Sequence, residues 1–74
     1  MKEFIEYIAE AIDKDVKDIK SSDLFRTYNE WDSLSVLNVL AIINEKYDVI
    51  IPRQEFDKLL TIEDLYKKVI GDKV

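Results

Sequence analysis

Residues 30–47 read Glu30-Trp31-Asp32-Ser33-Leu34-Ser35-Val36-Leu37-Asn38-Val39-Leu40-Ala41-Ile42-Ile43-Asn44-Glu45-Lys46-Tyr47. Val36, Val39, Leu40, Ile43 and Tyr47 recur at steps of three and four, the spacing that stacks side chains on one face of an α-helix. Asp32 is a good N-cap residue, because its carboxylate can accept a bond from an otherwise unpaired amide of the first turn. Lys46 stands near the C-terminal end, where the helix dipole favours a cation. The pattern predicts a helix from Ser33 to about Tyr47. Leu34, Leu37 and Ala41 form a second apolar row on a neighbouring face. A helix apolar over most of its circumference must bury the extra surface against its own bundle or against another protein. The pattern alone leaves both outcomes open.

Outward from this helix the same period continues. Phe4, Ile5, Ile8, Ala9 and Ile12 fall on one side of a helix expected from about Lys2 to Asp13, with Glu3, Glu6 and Glu10 facing water. A long connection follows from Lys14 to Asp32, with Val16, Ile19, Leu24 and Phe25 as expected apolar anchors; so long a loop in a small domain is packed or functional. Beyond the extended stretch Asp48 to Ile51, Pro52 can open a brief third helix through Leu59, with Phe56 and Leu60 inward. Thr61 and Asp64 have the spacing of a capping box at the start of a last helix. Its apolar side is Ile62, Leu65, Tyr66, Val69 and Ile70, and Gly71 is its expected stop. Gly71 and Pro52 are the only glycine and proline of the chain. The expected fold is all-α: a four-helix bundle over residues 1–74, one domain, with a long loop between helices 1 and 2 and a short helix 3.

The composition narrows the function. The chain has 74 residues, no cysteine and no histidine, so disulfides, thiolate metal sites and the commonest catalytic groups are missing. A core of this size supplies only about 3–5 kcal/mol of net stability. Sixteen acidic and 11 basic residues leave a formal charge of −5, which argues against nucleic acid and anionic membrane surfaces as partners. The N-terminal segment is broken by glutamates and carries no signal-peptide apolar stretch, and Val39 to Ile43 is too short to span a bilayer. The expectation is a cytoplasmic monomer that is not an enzyme.

Ser33 lies where the long loop meets the second helix, so its hydroxyl should be accessible. As a catalytic nucleophile it would need an oriented base; the chain has no histidine, and Asp32 is a poor base for an unperturbed alcohol. The better reading makes Ser33 the substrate of another enzyme, since a phosphodiester placed there meets first-turn amides and the positive end of the helix dipole. Taken alone, Asp-Ser-Leu is a weak signal, and Ser33 and Ser35 could be ordinary first-turn residues.

In context the signal sharpens. Trp31-Asp32-Ser33-Leu34, the apolar helix Ser35 to Ile43, the Tyr47-Asp48 pair, the Ile51-Pro52 step and Thr61-Ile62-Glu63-Asp64-Leu65 together resemble the acyl and peptidyl carrier protein family over essentially the whole chain. The resemblance implies that Ser33 carries covalent 4′-phosphopantetheine, transferred from coenzyme A by a separate phosphopantetheinyl transferase that uses magnesium. The thiol of that arm would hold acyl, aminoacyl or similar cargo as a thioester for acyl-loading and acyl-transfer enzymes. It also implies that Asp32, Leu34, Leu37 and Ala41 contact partner enzymes, while Val39, Leu40, Ile43 and Tyr47 line the interior where some members shelter cargo. The chain departs from the family in having Glu30 where glycine is frequent. Ser35, Asn38 and Asn44 stand where carriers of fatty acid synthesis have acids. These departures resemble free-standing carriers of specialised pathways, and imply docking that is more apolar and less dependent on salt. The competing functions are a carrier-like interaction module that is never modified and a small hydrolase that uses Ser33.

Overall fold

The computed structural model describes residues 1–73, with side chains through Gly71. Four helices follow in order: α1 (Lys2–Ile12), α2 (Ser33–Tyr47), α3 (Arg53–Phe56) and α4 (Ile62–Lys73). Two 3-10 turns, Val16–Asp18 and Phe25–Thr27, interrupt the long α1–α2 connection. No strand forms among the described residues, and an isolated antiparallel bridge joins Leu24 to Thr61. The all-α expectation holds, and α2 spans the residues its period predicts.

The core forms where the helical stripes converge. Phe4, Ile8, Ala9 and Ile12 of α1 are buried against Val36, Val39 and Ile43 of α2 and Ile62, Leu65 and Val69 of α4. Leu40 and Tyr47 complete the α2 stripe at its half-buried edge. Each helix end is closed locally. Asp13 takes a left-handed conformation (φ 55°), and the amides of Asp13 and Lys14 return to the carbonyls of Glu10 and Ala9, satisfying the last carbonyls of α1. Asp48 (φ 57°) does the same for α2, its amide reaching Asn44 at 2.9 Å. At α4, the Asp64 amide donates to Thr61 Oγ1, while Asp64 Oδ2 accepts from the amides of Leu60 and Thr61, each at 3.1 Å. The predicted capping box is present.

Several expectations need correction. α1 ends at Ile12, because the left-handed Asp13 turns the chain away. Of the four expected loop anchors only Ile19 and Phe25 are buried; Val16 is 43% and Leu24 52% exposed. Leu24 is extended where it bridges Thr61, so successive side chains point to opposite sides and Phe25 takes the inward one. α3 ends at Phe56, not Leu59, because the chain tightens there into short-range turns: Lys58 N–H donates to Glu55 and Leu59 N–H to Phe56. The Arg26 guanidinium also donates to the carbonyls of Phe56 and Leu59 from outside the helix. Leu60 then falls in the turn before α4 and is exposed, and Leu59 packs on the core in its place. Gly71 does not stop α4, which continues to Lys73; its backbone is not left-handed, so its freedom goes unused.

The extended stretch after α2 alternates cleanly. Val49 and Ile51 are buried while Ile50 between them is 80% exposed, as period-two geometry requires.

Ile43, 1% exposed, should lose about 2–5 kcal/mol on truncation to alanine. Leu37, at 59% exposure, should change stability by about 0.5 kcal/mol or less in the same urea melts. Equal losses would place the second row of α2 in the core.

The carboxyl of Asp64 is held below the usual aspartate range by the amide of Thr61 and then that of Leu60. A depressed folded-state value means that its stabilisation is complete above about pH 4 and is lost as pH falls below that. Asp64→Asn should therefore show a shallower fall of Tm than wild type between about pH 5 and pH 2.5. Parallel slopes would uncouple Asp64 from acid unfolding.

Candidate functional site

The head of α2 is set by a reciprocal pair of bonds. Asp32 is extended (φ −148°, ψ −171°), and its Oδ1 accepts from the Ser35 amide at 2.9 Å. In return the Asp32 amide donates to Ser35 Oγ at 3.0 Å. The Ser35 hydroxyl points its own proton toward the Glu30 carbonyl (3.2 Å) and Asp32 Oδ1 (3.1 Å). Two orphan donors of the helix start are thus satisfied within four residues. Sequence reading identified Asp32 but missed Ser35 as its reciprocal partner. The Asp-x-x-Ser spacing was the available signal.

The two serines of the first turn have opposite fates for a geometric reason. Each helical residue turns by about 100°, so residues two apart face nearly opposite ways. Ser35 is 4% exposed and fully engaged. Ser33 is exposed, and its hydroxyl has no hydrogen-bond partner among the described residues. Leu34 (63% exposed), Leu37 (59%) and Ala41 continue outward on α2 beside it. The second apolar row therefore faces solvent. Asn38 and Asn44 are exposed along the same helix, and the charge of Glu45 lies 3.5 Å from Lys46. Asp32 is exposed too, but its carboxylate is turned back onto Ser35 rather than toward Ser33. Val39 and Ile43 lie on the opposite, buried side. Half-buried Tyr47 meets the rings of Phe4 and Tyr7 at 5.8 and 5.9 Å.

The loop that delivers Ser33 is anchored from two directions. Trp31, immediately before the cap, stacks on Phe56 of α3 (centroids 6.5 Å, 11° between planes) and tilts against Phe25 at 5.0 Å. Arg26 covers the Phe25 and Phe56 rings at 4.7 and 5.1 Å and holds the end of α3 through the Phe56 and Leu59 carbonyls. Trp31, Phe25, Phe56 and Arg26 together clamp α3 to the Ser33 turn. Glu30 reaches the other way, to Lys14 just beyond α1, at 3.0 Å. That hydrogen bond holds the Glu30 carboxyl below the usual glutamate range. Asp23, under the same loop, is held low by the Lys20 amide and then by the Tyr28 hydroxyl, whereas burial followed by Asp23 pushes Tyr28 up.

The residues present suit an anionic group esterified to Ser33. Its oxygen is free and exposed, the Asp32 cap takes the Ser35 amide and leaves those of Ser33 and Leu34, and the first turn of α2 itself contains no acidic residue. An anion at this end of a 15-residue helix also meets the positive pole of its dipole. Among the described residues no three acidic side chains gather to hold a metal ion, and no helix is long and apolar enough to cross a membrane.

Residues 2–69 match the family described as the phosphopantetheine attachment site. The chain is also 32% identical over 60 residues to an acyl carrier protein of Exiguobacterium sp. (strain ATCC BAA-1283 / AT1b), covering 81% of this chain and 76% of that protein. Proteins of this family are carriers rather than catalysts. The chain belongs to the acyl carrier protein family, whose prosthetic group is covalently attached 4′-phosphopantetheine.

The contrast between the two serines is measurable without any partner. Ser35→Ala should cost about 0.5–2 kcal/mol, as loss of a cap does. Ser33→Ala should stay within about 0.5 kcal/mol of wild type, both read from denaturant midpoints.

Proposed function

We propose that Ser33 is the attachment residue and that this chain carries acyl or related intermediates between partner enzymes. The observation that carries the reading is that Ser33 alone of the two first-turn serines offers an unengaged hydroxyl to solvent, whereas Ser35 is consumed by the cap. When attached, the arm supplies a terminal thiol on which cargo is held as a thioester. The protein's own part is to present one oxygen on a rigid helix head and to stabilise the phosphodiester with first-turn amides and the dipole. The chain offers no base to Ser33, so proton removal falls to the phosphopantetheinyl transferase.

Leu34, Leu37 and Ala41, with Asp32 at the rim, are the proposed docking row for that transferase and for the loading and unloading enzymes. Their exposure beside Ser33 supports the assignment. Apolar groups at the centre of an interface supply affinity, whereas rim charges mainly set association rate and choice of partner. With so few charges along this face, docking depends weakly on ionic strength. Val39, Leu40, Ile43 and Tyr47 are the proposed interior contacts for any cargo chain that the bundle admits.

Incubation with coenzyme A, magnesium and a broad-specificity phosphopantetheinyl transferase should add the mass of one phosphopantetheine in intact-protein mass spectrometry. Ser33→Ala should abolish the addition and Ser35→Ala should retain it. An unmodified wild-type chain, or modification that persists in Ser33→Ala, would overturn the assignment.

A further inference from the structure

Glu30 occupies the position where the family resemblance leads one to expect glycine, and the structure gives it three linked roles. Its carboxylate takes Lys14 Nζ at 3.0 and 3.3 Å through its two oxygens. Its carbonyl accepts from the Ser35 hydroxyl at 3.2 Å. Its chain position, two residues before the cap, places both bonds beside the turn that presents Ser33. Lys14 is equally constrained. Its backbone amide closes α1 on the Ala9 carbonyl, its side chain is only 15% exposed, and its ammonium lies 4.7 Å from the centre of the Tyr28 ring. Tyr28 is itself fixed by a 2.8 Å hydrogen bond to Asp23, and its carbonyl accepts from the Trp31 amide at 3.0 Å. A continuous path of bonds thus runs from the end of α1 through Lys14, Glu30 and Ser35 to Asp32.

We infer that Lys14 and Glu30 are positioning residues that tie the Ser33 turn to the end of α1 and so determine how readily a transferase can engage it. The inference rests on the reading of Ser33 given above. Neither side chain touches the reacting oxygen. They act by restricting the turn: a site whose binding-competent conformer is only partly populated shows an apparent affinity lowered by that fraction. Glycine at this position would supply no carboxylate and would widen the turn's conformational freedom. The pair therefore contributes to KM for the carrier rather than to kcat, since a docked turn is ordered in either case.

The test compares wild type with Glu30→Ala, Lys14→Met, the double variant and Lys14→Arg, all confirmed as folded by circular dichroism at the assay temperature. With a phosphopantetheinyl transferase, coenzyme A and magnesium, KM for Glu30→Ala and for Lys14→Met should rise about two- to fivefold, the range a partly exposed ion pair can deliver; kcat should be unchanged. The double variant should be no worse than either single one, because the pair is lost once. Lys14→Arg, which keeps the cation, should restore wild-type KM. In the unmodified proteins, amide exchange at Trp31, Asp32 and Ser35 should quicken in Glu30→Ala, while Leu65 in α4 keeps its rate. Unchanged exchange at those three amides, or faster exchange with unchanged KM, would overturn the positioning role. So would additive effects in the double variant, which would mean that each residue contacts the transferase directly. A wild-type chain left unmodified would remove the reading of Ser33 itself and this inference with it, an outcome visible before any variant is compared.

Discussion

The reciprocal bonds between Asp32 and Ser35 set the rotational start of α2, and the rest of the molecule follows from that start. Once Ser35 is turned inward to meet Asp32 and Glu30, the helical period sends Val36, Val39 and Ile43 into the core and Ser33, Leu34 and Leu37 into solvent. A start displaced by one residue would rotate every side chain of the helix by about 100°. The hydrophobic stripe and the presented hydroxyl are therefore two consequences of one cap. Because the cap is local, it can form early and bias the chain before distant contacts arrive.

Holding that cap in place falls to elements with little regular structure of their own. The α1–α2 connection earns its rigidity from Phe25, Trp31 and Phe56, with Arg26 laid over two of the rings and bonded to the end of α3. α3, at four residues, is too short to be stable alone. It persists through this aromatic contact, the Arg26 bonds and the ion pair between Glu55 and Lys68 of α4. Surface ion pairs are individually weak. Pairs backed by aromatic faces and buried methylene stems, as at Lys14 and Arg26, contribute through packing as well as charge.

A carrier needs chemistry done to it rather than by it, and the physical design agrees. On the proposed reading, the Ser33 oxygen has a helix head that suits a phosphodiester and no histidine to take its proton. A chain without histidine or cysteine has no imidazole or thiol of its own to attack a thioester held on such an arm. The proposed docking row then assigns specificity to recognition, through apolar side chains beside the hydroxyl and a turn held at a defined angle.

The sequence alone was sufficient for the class of fold, the span of α2, the caps at Asp32 and Thr61 and the location of Ser33 at a helix head. All of these depend on interactions between residues within one or two turns, so spacing encodes them directly. Burial was a different matter. Leu24 and Leu60 were apolar and periodic enough to be read as inward, yet of the neighbours Leu24 and Phe25 only Phe25 is buried, and Leu59 packs where Leu60 was expected. The two rows of α2 could not be ranked until α1 and α4 had covered one of them. The Lys14–Glu30 pair and the Trp31–Phe56 stack join residues 16 positions or more apart, and no local pattern announces them. Which side chain meets which across such separations depends on how the helices lie against one another, and only the assembled bundle decides that.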